Sequence, residues 1–152
     1  MITKIKPMES ISPTLLKGKI TELKCELWFL EHGYLVLNPD VPYQYDMVVD
    51  VGHQLLKIQV KTCRYEDGGI VFNTSSITHN QSGYTRRIYS ENDVDYFMTY
   101  YENNCYLIPF NKCGSKEKKL RIEPTKNGQI KGIDFAVDFL AEKILDMEEV
   151  TE

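Results

Sequence analysis

Asp46 stands just ahead of an apolar run, Met47-Val48-Val49, and Gln59-Val60-Lys61 closes the run that follows it. With Gly52, His53 and Gln54 as a turn, the two runs pair as a hairpin whose register puts Asp46 opposite Gln59 to Lys61. Side chains two apart on a strand share a face, so Gln59 and Lys61 point the same way. A carboxylate, an amide and an amine therefore gather at one end of a sheet. Carboxylate and amide oxygens are hard ligands of the kind magnesium accepts, and the backbone carbonyl of Val60 offers another. A neighbouring lysine orients or deprotonates a water and balances charge building on a phosphate. Metal-assisted hydrolysis of a phosphodiester is the reaction these parts fit. The same alternation fits a half-buried sheet with one solvated face, and the pattern alone does not choose between the two.

Elements must hold those residues in place. Ile20, Leu23, Leu27 and Leu30 recur at helical spacing from about Lys17 to His32, with Gly33 as the stop and Glu22 on the flank of the stripe. Glu22 is the acid this helix could present to the hairpin; a solvated helix carboxylate is the other reading. A short strand, Tyr34 to Leu37, leads through Asn38-Pro39-Asp40 and Val41-Pro42 into the hairpin. Gly69 to Thr74, Asp95 to Tyr101 and Cys105 to Pro109 read as further strands, and Ser75 to Ser90 as a long polar loop. An amphipathic helix closes the chain from about Ile133 to Met147, its stripe made by Ile133, Val137, Leu140 and Ile144. Helix, strands and closing helix predict an α/β chain, a mixed sheet flanked by helices, in one domain over 1–152 with its core at about 17–145.

At 152 residues, 42% hydrophobic and 26% charged, the chain can bury a core and is neither disordered nor fibrous. Its four cysteines, Cys25, Cys63, Cys105 and Cys113, lack the close pairing that zinc or redox motifs use, so reduced thiols and a cytoplasmic location are expected. No apolar run approaches the length of a membrane span. The net charge of −4 is unevenly spread: Lys112, Lys116, Lys118, Lys119, Arg121, Lys126 and Lys131 form a basic stretch before an acidic end. Such a stretch is either a phosphate-binding face inside an acidic total or ordinary solvated surface.

Donors for phosphates and base edges are concentrated in "SSITHNQSGYTRR", Ser75 to Arg87, where Tyr84, Arg86 and Arg87 are the leading candidates. Thr62 and Arg64 follow the hairpin, and Lys126, Asn127 and Gln129 form a second polar cluster. His53 and His79 have no partners at metal-binding spacing and read as a turn residue and a loop donor. Tyr96, Phe97, Tyr100, Tyr101 and Tyr106 read as core and interface.

A helical glutamate, an aspartate opening a hairpin and a Gln-x-Lys closing it resemble, in that order, the PD-(D/E)XK nuclease superfamily. Tyr45-Asp46 stands where the family has Pro-Asp, and Gln59-Val60-Lys61 where it has (Asp/Glu)-x-Lys. The first departs by lacking the proline and the second by replacing a carboxylate with an amide, similar to the homing-endonuclease branch. "YSENDVDYFMTYYENNCYLIPF" and "LRIEPTKNGQIKGIDFAVDF" resemble downstream blocks of the small endonuclease family, so that the likeness covers about Lys17 to Glu142. The resemblance implies a restriction-endonuclease-like core. It implies a magnesium-dependent endonuclease acting on a specific double-stranded DNA site, with Asp46, Gln59, Val60 and Glu22 at the metal. Lys61 would be the base-like or electrostatic residue. It also implies a homo-oligomer, dimer or tetramer, because one small chain carries one site and two strands must be cut. A Holliday-junction resolvase and an inactive DNA-binding module on the same fold remain the alternatives.

Overall fold

A computed structural model describes residues 3–148, the side chains of 77–80 and 148 excepted. Helix α1, Pro13–Glu31, is followed by β1 Leu35–Leu37, β2 Met47–Asp50, β3 Leu55–Val60, β4 Arg64–Glu66 and β5 Gly69–Asn73. Then come β6 Ser75–Asn80, β7 Gly83–Ile88, β8 Tyr96–Tyr101, β9 Asn104–Pro109, β10 Glu117–Arg121 and α2 Ala141–Glu148.

Helix α1 begins about one turn earlier than its apolar period predicts. Ser12 caps it by accepting the Leu15 N–H on Oγ at 3.4 Å, and Pro13 takes the first helical position, where its missing N–H costs nothing. It ends where Gly33 turns to φ +83°, a conformation that favours glycine. Its orientation corrects the sequence reading. Thr21, Cys25 and Phe29 face the core, whereas Ile20, Leu23, Leu27 and Leu30 are 50–53% exposed. The helix has two apolar faces, and the one carrying fully buried Phe29, edge-on to Trp28 and Tyr34, is the one that fills the sheet.

The central sheet runs β1-β2-β3-β8-β9, antiparallel except for the parallel β3–β8 pair. Met47, Val49, Leu56 and Ile58 are buried along β2 and β3, the apolar half of an alternating pattern. On β8, Phe97 meets Phe72 of β5 at 6.3 Å, while Lys24 of α1 lies 4.2 Å from the ring centroid of Tyr100. These β8 positions are an odd number apart, so α1 and the β10-β5-β4 sheet cover opposite faces. Gly69 permits the close β5–β10 approach: a Cβ there would meet the Leu120 carbonyl oxygen at 2.6 Å.

Two other expectations are corrected. Ser75 to Ser90 is a hairpin of β6 and β7, paired from Ser75–Ile88 to Asn80–Gly83, because a run of hydroxyl, amide and arginine residues satisfies its backbone as readily by pairing as by looping. The closing helix starts at Ala141 after a 3₁₀ turn at Ala136–Phe139, leaving Val137 exposed. The polar strands β4 and β10 carry too few apolar residues to announce themselves.

Candidate active site

Asp46 precedes β2 and is tied to β3 at two points. Its N–H donates to the Ile58 carbonyl at 2.8 Å, and its Oδ2 accepts the Val60 N–H at 2.7 Å. It thus spans Gln59, as the hairpin register requires. Burial raises the Asp46 carboxyl from 3.8 to about 6; the Val60 N–H and Lys61 oppose this, and Glu22 adds to it. Partial burial also lowers the Lys61 ammonium below its ordinary value, against the pull of Asp46.

Gln59 pairs with Phe97 across the parallel ladder and therefore lies on the face turned toward β5. Its side chain is 9% exposed, and its Oε1 is buried without a hydrogen-bond partner among the described residues. Leaving such an oxygen unmet costs about 1–3 kcal/mol. Lys61 continues on that face just past the end of β3; its N–H donates to the Met98 carbonyl at 2.8 Å. Its Nζ donates to the Ser75 carbonyl at 3.3 Å and lies 5.1 Å from the centroid of the Tyr89 ring.

Glu22 approaches from α1, paired with Lys19 at 3.5 Å. It shares with Asp46 a cleft of about 330 Å³ whose other wall is Pro39 to Tyr43 and Tyr45. The donor set suits a hard divalent cation: the Asp46 carboxylate, an amide oxygen lacking a partner, a backbone carbonyl and a second acid. No group of three or more His, Cys, Asp or Glu gathers among the described residues, so water and phosphate oxygens would have to supply much of any metal's shell.

Residues 13–142 match the family model described as PD-(D/E)XK endonuclease. The chain belongs to the PD-(D/E)XK endonuclease family. A search of curated proteins gives no match. Among solved structures the PD-(D/E)XK chain is similar to a bacterial homing endonuclease, I-Ssp6803I. The two share 26% identity and a TM-score of 0.73 over 91% of this chain and 95% of that one.

Other candidate residues of this PD-(D/E)XK endonuclease lie in three places. Tyr84, Arg86 and Arg87 are exposed along β7, and Arg87 approaches Asp93 at 4.0 Å. The His79 side chain falls outside the described residues. Thr62, beyond Lys61, donates its hydroxyl to Thr21 of α1 at 3.3 Å, and Arg64 is held by Glu66 and Glu117, each at 2.9 Å. An arginine so paired has part of its charge already answered. Lys126, Asn127 and Gln129 lie in an exposed turn whose Asn127 Oδ1 accepts the Gln129 N–H at 3.1 Å. Much of the basic stretch is spent within the fold: Lys118 pairs with Asp134, and Arg121 donates to the carbonyls of Asp67, Glu123 and Pro124.

Ser75 and Tyr89 were missed as neighbours of Lys61. They flank the two roots of the β6–β7 hairpin, and only the register of that hairpin brings both ends to the lysine. No helix is long and apolar enough to cross a membrane among the described residues.

Proposed function

We propose that the chain is a magnesium-dependent endonuclease of the homing type, cutting both strands of a specific duplex site as a homo-oligomer. The unpartnered Oε1 of Gln59 carries this reading, because it leaves an oxygen donor in the Gln-x-Lys position beside a half-buried Asp46. Asp46, Gln59, the Val60 carbonyl and Glu22 would hold the metal. Bound there, magnesium would polarise the phosphate and supply hydroxide at neutral pH. Asp46 keeps its carboxylate pointed at the end of β3 through the Val60 N–H, so its orientation is set before any ligand arrives. Lys61, fixed by the Ser75 carbonyl, faces charge developing on the scissile phosphate or takes a proton from water. The lowered Lys61 ammonium makes the second role accessible nearer neutral pH. On β7, Tyr84, Arg86 and Arg87 would hold the DNA, with Thr62, Arg64, Lys126, Asn127 and Gln129 as outer contacts.

The test is cleavage. Purified protein is incubated with magnesium and a mixture of random duplexes and four-way junctions, and the ends are sequenced. Wild-type protein should release ends of one sequence from linear duplex, and Asp46→Ala and Lys61→Ala should each reduce the rate by at least about 100-fold with circular dichroism unchanged. Cleavage confined to junctions irrespective of sequence would transfer the chain to the resolvase reading. DNA binding without cleavage or metal uptake would make it a binding module.

A further inference from the structure

On the side of α1 turned away from the core lie Leu16, Ile20, Leu23, Leu27 and Leu30, each 46–53% exposed. Single exposed leucines need no explanation, but a contiguous stripe marks a surface meant to be covered. The spacing alternates four and three residues, which is the seam of a coiled coil. Turning about 100° per residue, the stripe falls opposite Cys25, the centre of the buried face. Among the described residues, Thr21, Cys25 and Phe29 are the ones by which the helix is seated on the sheet.

Charge on the two flanks selects the occupant. Lys17, Lys24 and Glu31 border one side of the seam, and Lys19 and Glu26 the other, with lysine toward the amino-terminal end and glutamate toward the carboxy-terminal end. A parallel copy would set like charges side by side. An antiparallel copy sets Lys19 toward the partner's Glu26 and Lys17 toward the partner's Glu31, and both pairings place the centre near Leu23. The one like-charge position at the centre, Lys24, is drawn over the Tyr100 ring of its own chain at 4.2 Å. Helix α1 has neither an acidic residue in its first turn nor a basic one in its last, so antiparallel apposition also opposes two otherwise uncompensated dipoles.

We propose that this seam is the self-association surface of the chain: α1 pairs antiparallel with α1 of a second copy, about a two-fold axis near Leu23. The inference rests on the homo-oligomer reading above and names its surface. A two-fold axis normal to the plane of the paired helices keeps each flank on its own side. Glu22 sits at the middle of α1 on the Lys19–Glu26 flank, so the two copies of Glu22, each lining a cleft with Asp46, fall on the same side of the pair. That is the disposition two sites need to reach opposite strands of one duplex.

Light scattering coupled to gel filtration tests the pairing on the full chain, with and without duplex DNA. Wild type should run as a dimer or tetramer, and a Leu23→Glu/Leu27→Glu variant at half that mass or less with its melting transition retained. Cysteine trapping fixes the direction and does not depend on the glutamate variant folding. Leu23→Cys should cross-link to itself, and Leu16→Cys should cross-link to Leu30→Cys but not to itself. An oligomeric glutamate variant, or self-linking of Leu16→Cys, would overturn the seam while leaving the homo-oligomer reading intact. A wild-type monomer at every concentration and on DNA would overturn both.

Discussion

Gln59 departs most from its family's usual residue, and its physics makes it separable from the fold. A buried amide with an unmet oxygen is a net cost to the metal-free protein. Gln59→Leu, close in volume, should therefore leave the stability unchanged or raise it, by up to about 2 kcal/mol. Cleavage should fall at least about 10-fold, with kcat lowered and the magnesium concentration required raised. Full activity in that variant with an unchanged magnesium requirement, read from a magnesium titration, would remove Gln59 from the ligand set. The local part of the site was legible in the sequence: Asp46, Gln59 and Lys61 are joined by one short turn, and a period of two assigns their faces without knowledge of the rest of the molecule. Ser75 and Tyr89 were not, because their approach to Lys61 depends on how a distant hairpin is rooted.

For elements, legibility followed apolar content rather than regularity. Strand β2 alternates buried Met47 and Val49 with half-buried residues, and β3, β8 and β9 carry runs of consecutive buried residues, so all four could be read directly. The β6–β7 hairpin could not, since its stability comes from backbone pairing and its β7 residues are exposed throughout. Helix α1 shows the complementary failure. A leucine stripe says that a helix has an apolar face, not that this face meets its own core. A two-stranded arm rooted beside Lys61, with its β7 residues exposed and mostly polar, is suited to lying along a phosphate backbone. Arg86→Ala on that arm should leave the melting temperature unaltered and weaken DNA binding about 10-fold. If Arg86 meets a phosphate, the loss should be uniform across sequences and the slope of log affinity against log salt should fall by about one. Fluorescence anisotropy over a salt series measures both; an unchanged slope would take Arg86 off the phosphates.

Stability belongs to the whole molecule, and here it should depend on pH in a direction set by Asp46. The folded carboxyl titrates near 6 against an ordinary 3.8, so the unfolded chain gives up this proton at lower pH than the folded one. The neutral acid is favoured by folding, and its contribution is complete below about pH 4 and lost as pH rises through 6. The shift corresponds to about 3 kcal/mol at most, a cost carried at neutral pH by the metal-free protein. Asp46→Asn should recover on the order of 1–2 kcal/mol of this at pH 8 while abolishing cleavage, the trade expected where a ligand is held for function. Magnesium should offset part of this loss, because it binds the deprotonated site: at tenfold excess over its dissociation constant it adds about 1.4 kcal/mol. The magnesium-induced rise in melting temperature should thus be small at pH 5, grow toward pH 7.5 and vanish in Asp46→Asn. Scanning calorimetry of both proteins at the two pH values, with magnesium and with chelator, separates this from a general ionic effect, which would raise wild type and Asp46→Asn alike.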